Sequence, residues 1–169
     1  MPNKTLTIDQ VLTLLAETAP RIEALTAGLK PGQLRAATTY EEWSANDVLA
    51  HLRACADVWG SCMVSIIRGT STLQAVNPTT WINSTNYREQ DFRPSLHSFA
   101  DQRADLLAVL KPLPPESWSL SATVTGAGSA LERNVLFYGR SLAGHERGHV
   151  KQVARIARAM RPSSSSCGR

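Results

Sequence analysis

The sequence predicts an all-α fold: a four-helix bundle with long inter-helix loops. Three observations carry this. Four stretches place apolar residues at helical spacing, capping signals stand at their starts, and strand signals are sparse. The 169 residues are enough for one domain with its own core, and neither an internal repeat nor a second domain is visible. We expect a single domain over 1–162 and a disordered, low-complexity tail, "SSSSCGR", over 163–169.

The first helix is expected from about 8 to 28. Thr7 and Gln10 have the spacing of a capping box, and Ile8, Val11, Leu12, Leu15, Ile22 and Leu25 follow a helical period. "LKPGQ" ends it. The second is expected from about 45 to 68, with Ser44 as N-cap and Asp47 three residues on. Val48, Leu49, Leu52, Cys55, Val58, Trp59, Cys62, Met63, Ile66 and Ile67 give it a wide apolar face, and Gly69 fits a C-terminal cap. The third is expected from about 96 to 111, after Pro94 and Ser95 and before Pro112, with Leu96, Phe99, Leu106, Leu107 and Leu110 as its stripe. The fourth is expected from about 130 to 160. Ser129 and Glu132 resemble a capping box, Leu131, Val135, Tyr138, Leu142, Val153, Ile156 and Met160 mark its buried side, and Pro162 closes it.

The connections 29–44, 69–94 and 112–128 exceed the few residues usual in bundles. The longest carries Trp81, Tyr87 and Phe92, and reads either as a lid over one end of the bundle or as a pinned crossover. "SLSATVTGAG" has room for a short strand or hairpin.

Three cysteines, Cys55, Cys62 and Cys167, do not suggest a disulfide framework. On one helix Cys55 and Cys62 would lie roughly 10 Å apart, too far to bridge, so both read as reduced core thiols. No apolar run reaches the ~18 residues of a membrane span, and the N-terminus lacks a signal-peptide pattern, so the expected location is the cytoplasm. From Arg147 onward there are six basic residues and no acid. No aromatic residue interleaves with them, so they read as cations suited to a helix C-terminus rather than as a nucleic-acid face.

"HERGH", residues 145–149, matches the H-E-x-x-H string of zinc peptidases. Such a peptidase takes a third ligand downstream. The 20 residues after His149 contain no Asp, Glu or His, so the peptidase reading fails. The spacing still matters, because His145 and His149 stack one turn apart on a face shared with Leu142, Val153 and Ile156. His51 lies on the core stripe of the second helix, between Val48 and Cys55. A lone inward histidine is commonly a satisfied core residue. Three from two facing helices could instead form a tris-histidine metal site with an open position. Zinc or nickel suits such donors foremost, with manganese or iron also compatible. Glu146 sits ~100° around the helix from His145 and reads as a solvated or salt-bridged surface residue, with a general-base role as the lesser alternative. His97 reads as a surface residue or cap. Trp59 and Tyr138 stand near enough to contact a substrate, although plain core packing is the favoured reading.

"EEWSANDVLAHLRACADVWG" and "SLAGHERGHVKQVARIA" together resemble the second-helix and last-helix signatures of the DinB-like superfamily. The second includes a Gln three residues past the last histidine, here Gln152. Gly148 stands where many relatives carry a further histidine. The resemblance spans about 8 to 160. It implies a four-helix bundle, a divalent metal on His51, His145 and His149, and frequent homodimers. It also implies chemistry on small molecules, including transferases that use low-molecular-weight thiols such as mycothiol or bacillithiol. The expectation is therefore a metal-dependent transferase or hydrolase with a small-molecule substrate, with a thiol co-substrate as the resemblance implies. The alternative is a non-catalytic, stress-related metal-binding bundle acting through dimerisation or a partner, which a fourth protein ligand closing the coordination sphere would favour.

Overall fold

A computed structural model describes residues 5–39 and 41–162. Cys167 and the expected tail lie outside the described residues. Four long helices pack side by side: α1 (Ile8–Thr26), α3 (Ala45–Ile67), α5 (Phe92–Leu110) and α6 (Val135–Met160). α1 and α3 each pack against both α5 and α6. The short helices α2 (Pro31–Arg35) and α4 (Pro78–Trp81) lie in the connections. Among the described residues, no helix is long and apolar enough to cross a membrane.

The helix starts follow local chemistry. Thr7 and Gln10 form a reciprocal capping box on α1, and Ser44 and Asp47 do the same on α3. Gly69 follows α3 at φ +93°, a left-handed conformation that closes the helix without a Cβ penalty.

Three expectations are corrected. The fold is not strictly all-α: β1 (Thr72–Gln74) pairs parallel to β2 (Ser121–Thr125), and β2 pairs antiparallel to β3 (Leu131–Asn134). The strand signal in "SLSATVTGAG" is thus β2, with Gly126 and Gly128 at positive φ in the turn. Ser129 and Glu132 are no capping box, because Glu132 lies in β3 and accepts hydrogen bonds from Ser121 and Thr123 across the hairpin. Asn134 caps α6 instead, its Oδ1 accepting from the Phe137 amide at 2.7 Å, and Leu131 is 46% exposed rather than core. Finally, α5 begins four residues earlier than expected. Pro94 falls in its first turn, where no intrahelical N–H donor is needed.

The long connection after α3 is pinned rather than free. Asp57 Oδ2 accepts from Trp81 Nε1 at 3.0 Å and from the Tyr87 hydroxyl at 2.7 Å. The Arg53 guanidinium lies 3.9 Å from the Tyr87 ring centroid, and Phe92 is buried. Arg53 and Asp57 sit about 200–240° around α3 from His51. Through Arg53 and Asp57 the connection straps the side of α3 turned from the histidines, while Arg88 reaches back toward His51.

The apolar core has a large cluster at each end, one around Leu49, Leu52, Phe99 and Ile156, the other around Leu15, Met63, Leu110 and Trp118. Between them runs a buried polar contact. The Glu146 carboxylate receives Arg103 Nη2 at one oxygen, and Arg103 Nη1 at 3.0 Å and Thr18 Oγ1 at 2.8 Å at the other. Arg103 and Glu146 are 3% and 1% exposed, so Glu146 is not the surface residue the sequence suggested. It faces α1 and α5, because its neighbour His145 already occupies the face toward α3.

Removing one member of a buried ion pair strands the other charge. Arg103→Met should therefore lower unfolding free energy by about 3–5 kcal/mol in urea titrations. Adding Glu146→Leu to that variant should recover most of the loss.

Candidate metal centre

The three inward histidines converge between α3 and α6. The Nε2 atom of His145 stands 2.9 Å from that of His51 and 3.1 Å from that of His149. The three donor atoms all lie within 4.8 Å of one another. Two nitrogens on one zinc-sized ion, each ~2.0–2.1 Å from it, would be roughly 2.9–3.4 Å apart at ordinary coordination angles. The donor set therefore fits a divalent ion.

The protonation pattern points the same way. Gln152 Nε2 donates to the Glu41 carboxylate at 3.1 Å, which turns its Oε1 toward His149 Nδ1 at 2.8 Å. His149 Nδ1 must then donate, leaving Nε2 of the neutral ring as a bare lone pair. Arg155 Nε fixes the far side of Glu41 at 2.6 Å. Nε2 of His145 has one hydrogen or one lone pair to offer, yet it faces two nitrogens. No tautomer satisfies both contacts with well-directed hydrogen bonds, whereas a cation accepting all three lone pairs would.

The surroundings favour the neutral form of His51 and His145. Burial, then the neighbouring His149 and His145 and the Arg88 cation, hold the His51 pKa down to about 4. Burial and then His149 lower that of His145. Trp43 stacks parallel to His149 at 6.1 Å between centroids and meets His51 edge-on at 5.2 Å. Trp59 meets His145 edge-on at 5.3 Å.

The sequence reading brought His51, His145 and His149 together, and the structure does the same. Gln152, noted only as part of the family signature, and Trp59, for which core packing was the favoured reading, also stand at the centre. Tyr138 is buried in the distal core beside Cys62, in line with the core packing favoured for it. His97 is exposed and pairs with Asp101 on the surface, as expected. Glu146 has both oxygens committed to Arg103 and Thr18 and is not free to act as a base. Three contributors were missed. Trp43 and Glu41 reach the site from the loop before α3, and only the tertiary fold reveals that. Cys55 was read as an ordinary core thiol, yet its Sγ lies 3.5 Å from Nε2 of both His51 and His145. Its signal was present: Cys55 follows His51 by four residues, the spacing of His145 and His149.

Two outcomes follow. A histidine with a depressed folded-state pKa binds its proton in the unfolded chain first, so metal-free protein should lose stability as pH falls from about 6.5 toward 4. Denaturant titrations across that range should show the loss, and His51→Leu should flatten it. Gln152→Ala should weaken metal affinity by about 10–100-fold while leaving helical circular dichroism intact.

Comparison with known proteins bears on the fold and the family. The DinB superfamily profile matches residues 14–153. Among solved structures, YfiT from Bacillus subtilis superposes with a TM-score of 0.76 at 13% identity, covering 95% of this chain and 93% of its own. It is described as a probable metal-dependent hydrolase with an unusual four-helix bundle topology. A Streptococcus pneumoniae protein superposes with a TM-score of 0.67 at 9% identity, covering 92% of this chain and 94% of its own. Among curated proteins, no sequence matches this chain. With most of its length matched by that profile, the chain belongs to the DinB superfamily.

Proposed function

We propose that the protein is a divalent-metal-dependent enzyme acting on a small molecule, with His51, His145 and His149 as the metal ligands. The observation that carries this is the convergence of three Nε2 atoms, whose crowding a bound cation would relieve. Membership of the DinB superfamily and the description of YfiT as a probable metal-dependent hydrolase support it.

A bound ion would supply Lewis acidity, polarising a substrate oxygen or sulfur and easing loss of its proton. The chain's own residues do the rest. Gln152, held by Glu41, keeps the His149 proton on Nδ1 and its Nε2 aimed at the centre. Trp43 and Trp59 wall the site with apolar surface, which limits competing water and suits the hydrocarbon part of a small substrate. Thiol-dependent S-transfer and hydrolysis both use an activated nucleophile at such a centre. The family resemblance favours a low-molecular-weight thiol as co-substrate, with the chain acting as a homodimer.

Elemental analysis of untagged protein tests the reading. We expect close to one divalent ion per chain, lost when His51, His145 and His149 are all changed to Ala. The loaded protein should then turn over members of a panel pairing thiols with electrophiles, or of an ester and amide panel, and the triple variant should not. Absence of metal after reloading with zinc, nickel and manganese would sink the proposal.

A further inference from the structure

We infer that Cys55 is a fourth protein ligand, so that the centre is a His3Cys set rather than a tris-histidine one. The inference rests on reading the histidine trio as a metal centre and adds a donor to it.

The geometry comes from two matched pairs. On α3, His51 and Cys55 are four residues apart; on α6, so are His145 and His149. Residues at that spacing lie on one helix face, so each helix presents two donors to the other. The Cys55 sulfur is equidistant from two of the imidazole nitrogens, 3.5 Å from each. A thiolate at ~2.3 Å and an imidazole nitrogen at ~2.0–2.1 Å from one zinc ion stand about 3.5 Å apart at a near-tetrahedral angle. Cys55 also belongs to the apolar cluster around Leu15, Met63 and Trp118, so its sulfur stands where that cluster meets the histidines.

Burial assigns the sulfur its side of the centre. Cys55 is 1% exposed, whereas the three histidines are only partly buried. The sulfur therefore forms the floor, and the face toward solvent stays open. Coordination would deprotonate the thiol, its proton passing to solvent. The resulting thiolate would offset one charge of the ion and bias the site toward zinc or cobalt over harder ions such as manganese. A small molecule would enter as an added ligand on the open face, an expansion to five-coordination that zinc sites allow.

Cobalt(II) loading of the full-length protein separates the possibilities. Bound cobalt gives visible ligand-field bands whatever its donors, and a near-ultraviolet sulfur-to-cobalt charge-transfer band only with a thiolate. The wild type should show both. Cys55→Ala should keep the visible bands and lose the ultraviolet one, and Cys62→Ser should keep both. Ligand-field bands without the charge-transfer band in the wild type, or that band persisting in Cys55→Ala, would overturn the Cys55 assignment while leaving the histidine centre standing. No cobalt bound at all would overturn both. X-ray absorption on zinc-loaded wild type gives a check that needs no variant: a sulfur shell at about 2.3 Å is expected, and a shell of nitrogen and oxygen alone would refute it.

Discussion

Burying a carboxylate in the middle of a helical bundle costs several kcal/mol unless a cation and further donors meet it there. Glu146 meets that condition in one arrangement. Arg103 of α5 must lie alongside with both terminal nitrogens facing it, and Thr18 of α1 must donate from the opposite side. A one-residue slide of any of the three helices moves its side chain by about 1.5 Å along the axis and swings it ~100° around it. Either change breaks the contact. The pair thereby fixes the axial register of α1, α5 and α6, which apolar packing at the two ends of the core would otherwise define loosely.

That register is what the candidate centre depends on. Glu146 and His145 are adjacent in sequence, so holding the carboxylate toward α1 and α5 aims the imidazole toward α3. His149 follows one turn later. On α3 the strap of residues 75–92 binds the opposite face through Asp57 and Arg53, and so presents His51 and Cys55 inward. The small sheet completes the tie. β1 follows α3, and β3 leads into α6, with β2 joining the two. Both helices that carry the donors are thus anchored at the same end.

Much of this was legible in the sequence, for physical reasons that differ by element. Thr7, Ser44 and the apolar stripes are local signals, and the helices they predict are present. The histidines were legible because helical spacing alone orients His145 and His149 together. The start of α6 was misread because Ser129 and Glu132 mimic a cap, while the hydrogen bonds that make Glu132 a strand residue come from Ser121 and Thr123, 11 and 9 residues away. Glu146 was misread because an acidic side chain reads as exposed by default. Its partners lie 43 and 128 residues away, beyond any periodicity argument. Glu41 reaches Gln152 across 111 residues and was invisible for the same reason.

The separation of the donors along the chain has a consequence for assembly. His145 and His149 are brought together by one turn of α6, but His51 is 94 residues from His145. An isolated α6 is therefore at best a weak two-point chelator. The third nitrogen arrives only when α3 docks, and closing so long a loop belongs to the slower stages of chain collapse. The full three-nitrogen set therefore exists only when α3 and α6 are docked, and tight binding of an ion would report that docking.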